Sequence, residues 1–211
     1  MKKESFTGII LAGGENKRFA GNDKAFIPIG PQQMIDPVYH IMRELFNEVI
    51  VITNRPGHYL NRDLQIAADI LRVRSSLTGI HAGLFYAATP YAFISACDTP
   101  FVKKSMIEML LDATDENVDV TVPQTAAGLE PLCAVYSQRC LEPIRRLFSK
   151  NQLQIKRFFD KVRVRHIPES ALRKVDPELI SFFNINTPDD LAAANRIRHK
   201  QRRSRLAKNN E

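Results

Sequence analysis

The chain has only three cysteines in 211 residues, Cys97, Cys133 and Cys140. An odd set without a C-x-x-C pair excludes a disulfide framework and a cysteine-based zinc site, and leaves the three as reduced packing residues. No stretch approaches the roughly 18 uninterrupted apolar residues of a membrane-spanning helix. The lysine-rich start, Met1-Lys2-Lys3-Glu4, leads into a strand pattern instead of a secretory signal, so a cytoplasmic protein with no membrane association is expected. Internal repeats and low-complexity linkers are also missing, which leaves residues 5–197 as one domain. His40, His58, His81, His166 and His199 lack metal-ligand spacing and read as surface or packing residues. With 44% hydrophobic residues, the chain can bury a sizeable core.

Positive charge is unevenly placed. Of the net charge of +7, nearly all lies in residues 196–211, where Arg196, Arg198, Lys200, Arg202, Arg203, Arg205 and Lys208 face only Glu211. The folded body is therefore close to neutral, which argues against a specific nucleic-acid partner. Residues 198–211 are expected to form a solvated, disordered basic tail without a catalytic role.

Short β-rich runs alternate with helical spacing. Residues 7–11, 48–53, 65–68, 92–96 and 118–122 read as strands, and 37–46, 80–88 and 103–113 as helices. That alternation predicts βαβ units on a mostly parallel sheet, with ligands at the carboxyl ends of its strands. Residues 132–136 follow 118–122 after a turn at Ala126-Ala127-Gly128 too short for a helical crossover, so an antiparallel strand is expected there. Residues 141–148 and 154–159 read as helices, 162–167 as a strand, and 182–186 as a last strand. Thr187-Pro188-Asp189-Asp190 then opens a final helix, with an N-cap, a proline at its first position and two carboxylates at its positive end.

The first strand runs straight into Leu11-Ala12-Gly13-Gly14, and Lys17-Arg18-Phe19 and Asp23-Lys24 follow. Glycines there permit positive φ and remove the Cβ atoms that would hold a phosphate away from the backbone N–H groups. Neither the P-loop nor the G-x-G-x-x-G fingerprint is matched, since the lysine comes from a separate turn. By itself such a loop is an ordinary tight turn; Arg18 and Asp23-Lys24 shift the reading to a phosphate cradle. Asp98, in Cys97-Asp98-Thr99-Pro100, stands at the end of the 92–96 strand. It either caps a turn or offers Mg²⁺ the hard oxygen it prefers, and the amino-terminal loop favours the metal.

These motifs, with Asn54-Arg55, Asp69, Leu77-Thr78-Gly79-Ile80, Glu130-Pro131-Leu132 and Asn184-Ile185-Asn186-Thr187-Pro188, resemble the molybdenum cofactor guanylyltransferase (MobA) family over nearly the whole chain. The resemblance implies a three-layer α/β/α sandwich of Rossmann-like type. It also implies transfer of GMP from GTP to molybdopterin with release of pyrophosphate. Carried over by position, Leu11, Ala12, Gly13 and Gly14 would contact the nucleotide, and Lys24 and Arg18 would neutralise its phosphates. Asp69 would lie in the nucleotide pocket, Leu77 and Gly79 near the guanine, and Asp98 would hold Mg²⁺. Asn184 and Asn186 would face the pterin side or the metal, although paired asparagines in a turn also serve to satisfy backbone groups. Implied partners are GTP, molybdopterin, the proteins that synthesise molybdopterin and molybdoenzyme chaperones. Two other readings are a cytidylyltransferase acting on molybdopterin or a polyol phosphate, and a non-catalytic nucleotide-binding module. Related cytidylyl enzymes tend to carry Gln-Pro after the aspartate, whereas this chain has Thr99-Pro100.

Overall fold

The computed structural model describes residues 5–13, 23–59, 64–70 and 75–208. Its first element, β1 (Phe6–Leu11), is buried along its whole length, as a central strand covered on both faces must be. After a 3₁₀ turn at Lys24–Phe26 come a hairpin, β2 (Pro28–Ile29) and β3 (Gln32–Gln33), then α1 (Ile35–Leu45) and β4 (Val49–Ile52). There follow β5 (Gln65–Ala67), α2 (Ser76–Tyr86), β6 (Tyr91–Ala96), α3 (Lys104–Asp112), β7 (Val120–Thr125), β8 (Gly128–Leu129) and β9 (Cys133–Ser137). The chain continues with α4 (Leu141–Phe148), α5 (Ile155–Phe159), β10 (Val164–Pro168), α6 (Glu169–Val175) and α7 (Pro188–Lys208).

Among the described residues one eight-stranded sheet runs β10-β7-β9-β6-β1-β4-β5, with β8 beside β7. β6, β1, β4 and β5 are mutually parallel, and β9 is antiparallel to both β6 and β7. The mixed sheet expected from the short Ala126–Gly128 turn is therefore present. Alternation along β1 splits the core into two layers: Phe6 and Ile10 pack with Val38, Met42 and Met106, whereas Ile9 and Leu11 pack with Leu77, Ile80 and Leu84. α2 is buried almost all round because strands cover one side and α4 the other. Gly83 permits this: a Cβ there would lie 2.7 Å from Ile9 Cγ2, so any side chain would push α2 off the sheet.

Three sequence expectations differ from the structure. Residues 182–186 form no strand; Ile180–Phe182 is a 3₁₀ turn entered through Leu179 at φ 52°, and the chain then crosses the sheet's carboxyl end. The reason is topological. Both edges of β6 are already paired, with β1 and β9, so the segment instead meets the end of β6 through a backbone bond from Ile185 N–H to the Asp98 carbonyl at 3.0 Å. α6 is a helix that the pattern did not single out; its Glu169 accepts from Ala126 N–H at 2.6 Å and pairs with Arg173 one turn later. Finally, the boundary at residue 198 falls inside α7, which continues to Lys208, and Arg198 is bonded to the β2–β3 hairpin, so a disordered tail does not begin there.

The carboxyl half is tied together by Asp119, just before β7. Its Oδ1 accepts from Arg139 Nε at 2.7 Å and Arg163 Nη2 at 3.0 Å, and its Oδ2 from Arg163 Nε and backbone N–H, both at 3.0 Å. The hydrogen bonds from Arg163 hold the Asp119 carboxyl well below the usual carboxylate range, against the opposing effect of burial. A carboxylate depressed in the folded state adds stability that is complete above its unfolded value, about pH 4, and is lost as pH falls toward the folded value. Asp119→Asn is expected to cost about 2 kcal/mol at pH 7, or roughly 4–8 °C in Tm for a chain of this size. Thermal melts from pH 7 to pH 3 check this: the gap between the two proteins should narrow below about pH 4, and a gap that stayed constant would refute an ionic origin.

Candidate functional site

The carboxyl ends of β1, β4 and β6 are spliced together by backbone bonds from Ala12 N–H to the Ile52 carbonyl at 2.9 Å and from Cys97 N–H to the Leu11 carbonyl at 3.0 Å. Above them opens a cavity of about 260 Å³, lined by Leu11, Ala12, Gly13, Lys24, Asp69, Ser75, Ser76, Gly79, Asp98 and Asn186, among others. This is where a doubly wound sheet binds its ligands.

Gly13 serves the cavity differently from the sequence expectation. It is not one of the positive-φ glycines, which are Gly30 and Gly128 among the described residues. Among the described residues a Cβ on Gly13 would meet only Asn54 Nδ2, at 4.0 Å, so none of their packing demands a glycine. What the missing side chain provides is open space beside the backbone, which suits the close approach of a phosphate.

Lys24 is aimed by its neighbour. The buried Asp23 caps the short turn, with Oδ1 accepting from Ala25 N–H at 3.2 Å and its carbonyl from Phe26 N–H at 3.0 Å. His58 Nδ1 lies 3.3 Å from the other Asp23 oxygen. From this turn Lys24 Nζ donates to Asp98 Oδ2 at 2.6 Å and to Asn186 Oδ1 at 2.9 Å. Three segments far apart in the chain thus meet at one ammonium group, and the Lys24 and Asp98 side chains are only 15% and 16% exposed. Asn186 is held by the start of α7, where Asp190 Oδ2 accepts from Asn186 N–H at 2.9 Å and Thr187 N–H at 2.8 Å. Those bonds, that from Asn186 N–H foremost, keep the Asp190 carboxyl below its ordinary range.

Asp98 follows β6 directly, and Thr99 Oγ1 closes the turn on the Ala96 carbonyl at 3.0 Å. Its second oxygen, Oδ1, is buried with no hydrogen-bond partner among the described residues, and so is Oδ1 of Asp69. A buried acceptor left unpaired costs about 1–3 kcal/mol, so both point to a ligand that would satisfy them. On β5's side, Asp69 Oδ2 accepts from Asn54 Nδ2 at 2.8 Å. The Asn54 contact was not assigned from sequence, although its place just past β4 is the usual signal for a site residue. Cys97 is no nucleophile: burial, reinforced by the neighbouring Asp98 charge, pushes its thiol well up.

The donor set fits Mg²⁺ in one limited way. No group of three or more His, Cys, Asp or Glu residues that could hold a metal occurs among the described residues. Asp98 Oδ1 offers a single free, hard oxygen, and Mg²⁺ commonly takes one or two carboxylates and completes its shell with phosphates and water.

Ser75 caps α2, its Oγ accepting from Thr78 N–H at 3.1 Å, which turns the helix's positive end to the cavity beside Ser76 and Gly79. Leu77, expected near the base, is instead fully buried in the core between α2 and the sheet. Helical geometry forces this choice, since Gly79 and Leu77 cannot both face the cavity from one turn. Asn184 is exposed and does not line the cavity, whereas Asn186, two residues on, does. Gly14 and Arg18 lie outside the described residues. A second, larger cavity of about 1700 Å³ borders the same Asp98–Pro100 turn, lined in part by Pro100, Phe101, Lys103, Glu130 and Phe183. Burial pushes the Glu130 carboxyl up there.

Comparison with known proteins gives the chain's family and fold. The MobA-like NTP transferase domain matches residues 8–167. A molybdenum cofactor guanylyltransferase of Desulfosudis oleivorans is 47% identical over 191 residues, covering 90% of this chain and 95% of that protein. A probable molybdenum cofactor guanylyltransferase of Pelotomaculum thermopropionicum is 34% identical, covering 95% and 97%. Among solved structures, molybdopterin-guanine dinucleotide biosynthesis protein A from Archaeoglobus fulgidus superposes with a TM-score of 0.82 at 28% identity, over 92% of this chain and 99% of that one. The 4-diphosphocytidyl-2C-methyl-D-erythritol synthase of Anaerococcus prevotii, with a TM-score of 0.66 at 12% identity, shares the fold. With a strand-end cavity that gathers a lysine, an aspartate and an asparagine, and with relatives matched over nearly their whole length, the chain belongs to the MobA-like NTP transferase family and is a nucleotidyltransferase.

Proposed function

We propose that the protein transfers GMP from GTP to molybdopterin, forming molybdopterin guanine dinucleotide and releasing pyrophosphate. The observation that carries this reading is the meeting of Lys24, Asp98 and Asn186 over a cavity whose floor is the Leu11–Gly13 backbone. The names of the relatives supply the acceptor and the base.

In the proposed reaction a terminal phosphate oxygen of molybdopterin attacks the α-phosphorus of GTP. A new P–O bond forms, the bond to the bridging oxygen breaks, and pyrophosphate leaves with that electron pair. The attacking oxygen is already an anion, so no side chain needs to remove a proton. The protein's part is to position both partners and to offset charge building on the bridging oxygen. Lys24 supplies a positive charge at the cavity floor, and in the free protein Asp98 and Asn186 hold it in place. Asp98, through Oδ1, would hold Mg²⁺, which when bound supplies further neutralisation of the α-phosphate. Asn54 keeps Asp69 turned to the cavity. The larger cavity past Pro100 and Phe183 gives the acceptor an approach to the same turn. The three free, buried cysteines are consistent with a cytoplasmic setting, where molybdopterin-synthesising proteins would deliver the acceptor and molybdoenzyme chaperones collect the product.

Base choice rests on Asp98-Thr99-Pro100 and on the backbone at Ser75, Ser76 and Gly79. Guanine offers an O6 acceptor beside N1–H and N2–H₂ donors, which backbone groups can pair in a pattern adenine reverses. Cytosine would leave such groups unpaired, at about 1–3 kcal/mol each, or roughly tenfold to a hundredfold in discrimination. GTP is therefore expected to exceed CTP and ATP in kcat/KM by at least that order, measured side by side with molybdopterin and Mg²⁺. Equal or better transfer from CTP would move the chain to the cytidylyl branch. Triphosphate binding without any transfer would favour a non-catalytic module.

A further inference from the structure

We propose that Asn195 and Arg198 of α7 are positioning residues for Lys24, clamping the hairpin that follows it in the chain; this rests on Lys24 being the phosphate-binding lysine of the reading above. The turn bearing Lys24 passes through Ile27 directly into β2, which begins four residues after the lysine, so the position of β2 and β3 constrains that of Lys24. Among the described residues that hairpin is no part of the main sheet, and its two strands pair only with each other. A two-stranded ribbon of this length is not stable alone, so something else must fix its position. α7 does so. Arg198 Nη1 donates to the Ile29 carbonyl and Nη2 to Gln32 Oε1 at 2.5 Å, while Asn195 Oδ1 accepts from Gly30 N–H at 3.0 Å. Gly30 is at φ +60°, and a Cβ there would lie 3.6 Å from Arg198 Cδ, so the guanidinium stem lies against the turn itself.

Beneath the clamp a separate apolar cluster joins Ile29 and Met34 of the hairpin segment to Ala194 of α7, to Ile185 and to Phe101. Ile185 immediately precedes Asn186, and Phe101 stands three residues past Asp98. The cluster therefore connects the chain next to each of the three groups that meet at the Lys24 ammonium. α7 carries both ends of the arrangement: its first turn holds Asn186 through Asp190, and its middle holds the hairpin through Asn195 and Arg198. One rigid helix thereby sets the spacing between Lys24 and the Asp98–Asn186 pair. Arg suits the position better than Lys because its planar fork reaches a carbonyl and an amide oxygen at once.

The test uses the full-length protein with Asn195→Ala, Arg198→Ala and Arg198→Lys, and with the exposed neighbour Arg196→Ala as control. The first readout needs no assumption about the reaction: the rate at which Lys24 is acylated by an isotope-labelled anhydride, followed by mass spectrometry. A loosened hairpin frees the ammonium from Asp98 and Asn186, so Arg198→Ala and Asn195→Ala should raise that rate several-fold. Arg198→Lys should fall between, and Arg196→Ala should match wild type. The second readout is steady-state transfer, where a lysine displaced by about 1 Å should lower kcat by roughly tenfold to a hundredfold and raise KM for GTP by much less. Should Arg198→Ala reduce folding yield, Asn195→Ala, which removes a single hydrogen bond, carries the same comparison. Wild-type labelling of Lys24 in a folded Arg198→Ala or Asn195→Ala protein would overturn the proposal. If wild type itself transfers no GMP, the functional reading fails, while the labelling result still decides the clamp.

Discussion

Asp98→Asn is expected to leave the fold intact and to lower GMP transfer by about 10²–10³-fold, the loss typical of removing one transition-state contact. The substitution keeps the shape and one carbonyl oxygen but removes the charge that pairs with Lys24 at 2.6 Å and the anionic oxygen, Oδ1, that has no partner in the free protein. Both losses act on the phosphate. Lys24 loses the partner that aims it, and Mg²⁺, in the proposed reaction, would lose its carboxylate. Because Asp98 Oδ1 is a buried, unsatisfied acceptor, an amide there is expected to leave Tm unchanged or raise it slightly, as site residues held for function commonly do on replacement. Turnover under saturating Mg²⁺ within threefold of wild type, in a protein with a normal melting curve, would remove Asp98 from the site.

Lys24→Ala is expected to produce a loss of similar size in kcat/KM, because it withdraws the only described cation lining the smaller cavity. Its effect on stability has the opposite sign from that of Asp98→Asn. The ion pair is 15% and 16% exposed, so truncation strands a largely buried carboxylate, and a fall in Tm of a few degrees follows from a cost of roughly 1–2 kcal/mol. In the double variant the two losses should overlap, since each single change already breaks the pair; a combined rate loss equal to the product of the single losses would show that the residues act independently. Steady-state kinetics and thermal melts on the four proteins give both comparisons.

Much of this was legible in the chain before any coordinates. β1, β4, β5 and β6 were readable because buried parallel strands are short apolar runs bounded by turn residues, and β9's reversal because the short connection through Ala126-Ala127-Gly128 cannot carry a helical crossover. Gly13, Asp69 and Asp98 were expected at the sheet's carboxyl edge because they stand just past strand ends, whereas Lys24, on a separate turn, was placed there by its motif; all four line the same cavity. Leu77 was misplaced because a motif aligns a segment without saying which side of the helix turns inward, and the α2 core claims the leucine. The 182–186 segment, rich in strand formers, was misread because local pattern carries no information on whether a sheet edge is free; β6 has none.

By itself the sequence determined the element types, the layer pattern and the chemistry available at the sheet's carboxyl edge, since these follow from side-chain period, backbone sterics and turn residues within a few positions of one another. Only the tertiary structure decided which of those groups meet. Lys24, Asp98 and Asn186 are separated by 74 and 162 positions from the lysine and come together at one nitrogen because the sheet aligns two of the segments and α7 delivers the third. The same holds for Arg198, which in the chain belongs to a run of basic residues with the appearance of a solvated end, and in the fold locks the hairpin beside the site. Such contacts depend on burial and helix placement summed over the whole molecule, and no local window of the chain contains that information.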